Sequence, residues 1–318
     1  MSLARRIAMR LGRSLFVVWA AMSLVFVMTN LIGDPAVATL GPNARAEVIA
    51  QYRVLHGLDR PFIIQYLDYV AHLVRGDLGR SFRDEQPVVE VILTRLPRTA
   101  LLGAMALCFE MLLGVSLGVL AALRRHRSAD TFAMGVAFLG VSAPTFLTGL
   151  IFLQVFAFRL GWFPVGGYGV GFWDHLRHGL LPAFTLAIVG AATYARLVRG
   201  EMIETLSSDY VRTAKMKGLD ARRVVLGHAL RNALLPAVTL AGLSLPLLVS
   251  GAIITESLYD WPGMGRLAIE AIHALDVPML LGIVLIASIA VQVGNLGAEL
   301  VITAIDPRVK FGAPRDGR

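Results

Sequence analysis

Six apolar stretches, each long enough to cross a bilayer, dominate the hydropathy pattern: residues 14–32, 100–123, 131–158, 179–199, 237–255 and 279–304. A membrane-crossing helix needs about 20 mostly apolar residues, so the pattern predicts an all-α integral membrane fold with six transmembrane helices. The long polar interval between the fourth and fifth spans, residues 200–236, is patterned rather than loose. Helix-forming residues run up to Gly218, a natural helix stop, and Asp220 is placed to cap a second helix that ends before Pro236. On the first of these helices Leu206, Tyr210, Thr213 and Lys217 share one face, with Ala214 beside them. Two short helices displayed on the surface of a membrane protein predict a docking surface for a partner.

Elsewhere the pattern separates a segment 1–99, the first span and a long loop, from a segment 100–318 that holds five spans and the polar interval. The first span closes at Gly33-Asp34-Pro35, a turn. In the loop, Pro61 opens a helix with an apolar stripe of Ile63, Tyr66, Leu67, Val70, Leu73 and Val74, stopped by Gly76. That helix is expected on the membrane or on the outer face of the bundle. Gly114-Val-Ser-Leu-Gly118 in the second span is a small-xxx-small pattern that lets another helix approach closely.

Composition supports the membrane class: 56% of residues are hydrophobic, 16% are charged, and mean hydropathy is +0.66. The net charge of +8 encodes orientation rather than nucleic-acid binding. Arg5, Arg6, Arg10 and Arg13 precede the first span, and Arg124, Arg125 and Arg127 follow the second. Eight basic residues lie from Arg196 to Arg231 and four lie after Asp306, whereas the opposite short loops carry only Arg159, Arg177 and Arg266. The bias predicts both termini and the 200–236 interval on the cytoplasmic side. Ala36-Val37-Ala38 fits a signal-peptide cleavage site, but the apolar run before it is nearly twice the length of a signal core, so an uncleaved first span is expected.

Candidate chemistry is sparse. Glu110 lies inside the second span, where a carboxylate must face the bundle interior or a wet cavity. It is a candidate for lining a solute path, as is Gln154; Gln292 and Asn295 are weaker candidates that fit helix-to-helix hydrogen bonding. His175 and His178, beside Asp174, have the spacing of two metal ligands, but no third ligand clusters near them, so no metal and no cofactor is expected. Cys108, the single cysteine, reads as a packing residue. No phosphate-binding loop and no catalytic set stands out, so no enzyme activity is expected.

Tyr210-Val-Arg-Thr-Ala-Lys-Met-Lys-Gly218-Leu219 resembles the cytoplasmic "EAA" loop of binding-protein-dependent ABC importer permeases, with Arg212, Thr213 and Ala214 in the Glu-Ala-Ala places and Gly218 as the glycine. Arg212 in place of an acid, and the long run to Leu235-Pro236, are similar to the dipeptide, oligopeptide and nickel branch. Gly33-Asp34-Pro35, Arg75-Gly-Asp-Leu-Gly-Arg-Ser81, Leu96-Pro97-Arg98-Thr99, Glu256-Ser-Leu-Tyr-Asp-Trp-Pro-Gly-Met-Gly265 and Asp306-Pro307-Arg308-Val309 extend the resemblance over nearly the whole chain. The resemblance implies a type I importer permease with a MetI-like core in a bacterial inner membrane. Its partners would be a paralogous permease, two cytoplasmic ATPases that dock on Tyr210, Arg212, Thr213, Ala214, Lys217, Gly218 and Leu219, and an extracytoplasmic solute-binding protein. Short peptides are the expected cargo, with nickel chelates, glutathione or another small solute as alternatives. A stand-alone channel or secondary transporter is the competing class. It would predict activity without an ATPase and paired acids or broken helices at mid-membrane, whereas one clear mid-span acid, Glu110, and no internal symmetry stand out here.

Overall fold

A computed structural model describes residues 3–249 and 253–305. Residues 250–252, within the expected fifth span, and the Asp306-Pro307-Arg308-Val309 motif lie outside the described residues. Fourteen helices follow in order among the described residues: α1 (Leu3–Ile32), α2 (Pro35–Leu40), α3 (Ala46–Leu55), α4 (Phe62–Val74), α5 (Val88–Leu123), α6 (Ser128–Ser142), α7 (Thr145–Phe152), α8 (Phe172–Ser207), α9 (Asp209–Met216), α10 (Ala221–Arg223), α11 (Leu230–Val249), α12 (Ile253–Leu258), α13 (Met264–His273) and α14 (Val277–Ile305). A π-helical segment, Leu153–Arg159, continues α7, and another, Val224–Ala229, joins α10 to α11.

Among the described residues, five helical segments are long and apolar enough to cross a membrane: Gly12–Leu31, Val88–Leu123, Phe172–Ser207, Ala221–Gly242 and Val277–Gly297. The sixth expected span, 131–158, is not one straight helix. Ser128–Gly140 and Thr145–Arg159 meet at a bend of 100°. Pro144 explains the break: its ring disfavours helical geometry at the preceding residue, and Ala143 is extended at φ −85°, ψ 133°. Pro236 departs from expectation in the other direction. It lies inside α11, so the second helix of the polar interval runs on into the next span instead of stopping there. Proline is tolerated within membrane helices where local adjustment re-satisfies the freed carbonyl.

The described residues form two compact units: those up to Thr99 with Pro262–Gln292, and Ala100–Trp261 with those from Val293 onward. In the first unit Asp34 caps α2 by accepting from Ala36 N at 2.9 Å, and it pairs with Arg53. Burial alone would raise its carboxyl, but the hydrogen bonds from Arg53 and from the Ala36 backbone outweigh this and hold it below the ordinary carboxylate range. Asp276, buried at the start of α14, accepts from the Ser81 hydroxyl, from Phe82 N at 3.1 Å and from Met279 N at 3.3 Å. The Arg75–Ser81 motif is therefore a structural latch, turned at Gly76 and Gly79, both at positive φ, and fastened to the cap of α14. Leu78, Val88, Ile92, Met264, Leu267 and Leu280 form an apolar core in this unit.

The second unit is built on small residues. A Cβ on Gly114 would lie 2.4 Å from Tyr194 Cβ and 2.8 Å from Ala191 O, and one on Gly118 would lie 2.7 Å from Ala195 O. The small-xxx-small pair therefore seats α5 directly on the backbone of α8. Ala229, which ends the π-helical segment, and Ala233, Ala237 and Ala241 of α11, each four residues after the last, pack with Tyr194, Val198 and Met202 of α8. The Glu256–Gly265 motif is a buried plug. Trp261 packs with Leu102, Ala106 and Ala183, and the Tyr259 hydroxyl meets Thr185 Oγ1 at 2.7 Å and donates to Gly149 O at 3.1 Å.

Gly114→Ala should force α5 and α8 apart and cost about 1–3 kcal/mol, the usual penalty of overpacking. Gly200→Ala, where an added Cβ meets nothing within 4 Å, should be neutral or slightly stabilising. Thermal unfolding of both variants in detergent checks the contrast.

Candidate coupling site

α8 runs for 36 residues without a break. At 1.5 Å per residue that is about 54 Å, well beyond the roughly 30 Å of hydrocarbon it must cross. Its C-terminal end is a stalk, and the polar interval begins at the tip. Ser208 breaks the helix with extended geometry at φ −70°, ψ 152°, and α9 starts at the next residue. Leu206 therefore belongs to the stalk, and the face expected to run from Leu206 to Lys217 is interrupted.

The sequence signals for the ends of α9 and α10 have direct counterparts. Gly218 has φ +78°, Gly218 N donates to Lys215 O at 3.0 Å, and Leu219 N donates to Ala214 O at 3.4 Å, a left-handed glycine closure of the helix. Asp220 then caps α10 by accepting from Arg222 N at 3.1 Å. Only Gly218 and Leu219 separate the closing hydrogen bonds of one helix from the cap of the next.

Val211, Ala214 and Val224 are buried together, with Leu206 and Leu219 packed against them, so the loop carries its own small apolar core. Ala214, which the resemblance counts among the docking residues, therefore faces inward and holds α9 against the π-helical segment. Tyr210, Arg212, Thr213, Lys217 and Gly218 are exposed. The Thr213 hydroxyl is returned to its own helix, donating to Asp209 O at 2.9 Å. Asn232 Nδ2 donates to the Tyr210 hydroxyl at 2.6 Å, tying α9 to α11. The outward surface is thus Arg212, Thr213, Lys215, Met216 and Lys217, cationic around a methionine that is 75% exposed.

Sequence reasoning passed over Met216, Asn232 and Val211. The hydropathic alternation of Val211, Ala214 and Leu219 on one side of a polar helix was the available signal for an inward face. A further pair, Asp130 and Arg199, left no sequence signal because its members lie 69 residues apart. Arg199 Nε and one Nη each donate at 2.7 Å to the two oxygens of Asp130, and His126 N adds a bond at 3.1 Å. This bidentate clamp ties the start of α6 to the stalk of α8.

The two pathway candidates lie on different helices. The Glu110 carboxyl rests on Gly190 of α8, where a Cβ would come within 2.2 Å of Cδ, so its position depends on that glycine. Among the described residues no basic side chain pairs with it. Gln154 is exposed on the π-helical continuation of α7. Ring contacts from Phe109 to Phe184 at 5.9 Å, and from Phe184 to Phe152 at 5.7 Å, run beside these positions. The two histidines turn to backbone. His175 Nδ1 lies 2.8 Å from Tyr168 O with its ring stacked on Tyr168, and His178 Nδ1 lies 2.8 Å from Asp174 O.

A multi-pass helical membrane protein that carries an ordered two-helix loop at the end of a long stalk has the form of a transport subunit. Residues 114–311 match the family described as binding-protein-dependent transport system inner membrane component, and residues 3–103 match its N-terminal companion. The chain belongs to this family, the permeases of ABC importers, which work with ATPase and solute-binding partners. It is 42% identical over 297 residues to a putative peptide permease protein of Brucella ovis, covering 90% of this chain and 93% of the relative. It is 37% identical over 289 residues to the glutathione transport system permease protein GsiC of Salmonella typhimurium, covering 91% and 93%. It is also 35% identical over 291 residues to the oligopeptide transport system permease protein AppB of Bacillus subtilis, covering 90% and 92%.

Asp130→Asn should leave Arg199 without its bidentate partner. Removing one member of a buried pair typically costs 3–5 kcal/mol, and the partial exposure of Arg199 lowers the expectation here to about 2–3 kcal/mol. Chemical or thermal unfolding of the purified variant measures the loss.

Proposed function

We propose that this permease imports short peptides, forming the translocation path with a paralogous permease and driven by two cytoplasmic ATPases. The observation that carries the coupling role is the ordered α9–α10 loop, closed at Gly218, capped at Asp220 and held at the tip of α8 by its own core. Tyr210, Arg212, Thr213, Lys217, Gly218 and Leu219 form the docking segment, with Arg212, Met216 and Lys217 facing the ATPase and Ala214 supporting them from within. The basic bias of the sequence supports a cytoplasmic position for this loop and both termini.

ATP-driven closure of the ATPases moves α9, and α8 and α11 carry that movement to the outer side in an alternating-access cycle. Glu110 and Gln154 line the path, with Glu110 available to the ammonium group of a peptide. The chain itself performs no covalent chemistry. Relatives named as peptide and oligopeptide permeases support the peptide reading. Glutathione is the second reading, favoured by the relatives that carry that name.

Gly218→Trp should abolish ATPase co-purification and uptake while membrane insertion is retained; normal association and transport in this variant would sink the docking role. Glu110→Gln should change the uptake kinetics of a radiolabelled dipeptide, and unchanged kinetics would return Glu110 to packing. Competition of that uptake by excess glutathione separates the two cargo readings.

A further inference from the structure

The helical wheel of α4 divides into three sectors with different surroundings. Tyr66, Tyr69 and Leu73 pack in a core with Met22 and Phe26 of α1 and with Val277 and Leu281 of α14. Gln65, Asp68 and His72 form a polar stripe that lines a cavity of about 630 Å³. Its groups are paired there: Asp68 with Arg60 at 2.8 Å, His72 with Asp77 at 3.3 Å, and Gln65 Nε2 donating to Arg60 O at 2.8 Å. The third sector holds Ile63, Leu67 and Val74, apolar and 60%, 59% and 82% exposed, with Ile64 at its edge. An exposed apolar ridge beside an orderly polar stripe needs an occupant.

Depth identifies it. Tyr66 and Ser23 share a hydrogen bond of 2.6 Å, and the rings of Phe62 and Tyr69 lie 5.3 Å and 6.0 Å from Phe26. The apolar span of α1 is Gly12–Leu31. Phe26 is five residues and Ser23 eight residues inside its Leu31 end, about 7 Å and 12 Å along the helix axis. Half the hydrocarbon thickness is about 15 Å. Sliding α1 outward to lift α4 clear of the lipid would carry Arg13, at the first turn of that span, deeper and draw Arg5, Arg6 and Arg10 after it into hydrocarbon, which their charge opposes.

We infer that α4 is embedded in the leaflet at the Leu31 end of α1, with the Ile63, Leu67 and Val74 ridge against acyl chains and the Gln65, Asp68 and His72 stripe turned to the polar-lined cavity. The segment counted as loop between the first two spans thus contributes a membrane-inserted helix that does not cross. The ridge is a lipid-contact surface, not a seat for the solute-binding protein.

Site-directed spin labelling tests this in the full chain, reconstituted in bilayers with the subunits that copurify with it. The single native cysteine is first removed as Cys108→Ser. Nitroxides at Ile63→Cys and Leu67→Cys should collide more often with oxygen than with a water-soluble nickel chelate, at a depth of about 7–12 Å. A nitroxide at Asp68→Cys should show the reverse order. Preference for the nickel chelate at the ridge would place it in water, and exclusion of both quenchers there would place it under protein; either result overturns the inference. Val74→Cys gives the same reading if Leu67→Cys fails to accumulate.

Discussion

Helices in lipid gain little by hiding apolar surface from one another, because the lipid is as apolar as they are. What holds them is the closeness of their backbones, and in this chain that closeness is set by glycine and alanine. Gly114 and Gly118 leave no room for a single added carbon between α5 and α8. The buried alanines at 229, 233, 237 and 241 pack the π-helical segment and α11 against α8. α8 is thereby gripped by two neighbours along its membrane-embedded length, and this grip makes its far end a stalk rather than a loose tail.

Against that background the polar groups have narrow assignments. Asp34 and Asp220 cap helices, Asp276 fastens a loop to the start of α14, and Asp130 holds the stalk of α8 to α6. Each carboxylate satisfies backbone or guanidinium donors that would otherwise lose hydrogen bonds away from water. Glu110 differs from this set: it sits in a span, on a glycine, with no basic side chain paired to it among the described residues. That contrast, more than its position in the sequence, is the ground on which a place in the solute path is proposed for it.

Much of this was legible in the chain because its signals are local. Span length, the left-handed stop at Gly218, the cap at Asp220 and the close approach at Gly114 and Gly118 each depend on a few neighbouring residues. The failures were of two kinds. Two prolines account for the first: Pro144, passed over inside an expected span, breaks it, whereas Pro236, expected to end a helix, is absorbed within α11, just beyond a π-helical segment. The sidedness of short helices also escaped, because it is set by partners distant in sequence. Ala214 turns inward because Val224 lies opposite it, and the stripe of α4 splits into half-buried and exposed sides because α1 and α14 cover one of them.

The junction at Gly218-Leu219 has a mechanical meaning. A loop of many free torsions acts as a soft spring, and displacement at one end is dissipated as bond rotation. Here the hydrogen bonds that close α9 abut the cap that opens α10, Tyr210 is strapped to Asn232, and the interior is packed. Almost no compliance is left in the segment. Under the proposed coupling role, a push on α9 would reach α8 and α11 as a joint displacement, with little of the stroke spent inside the loop.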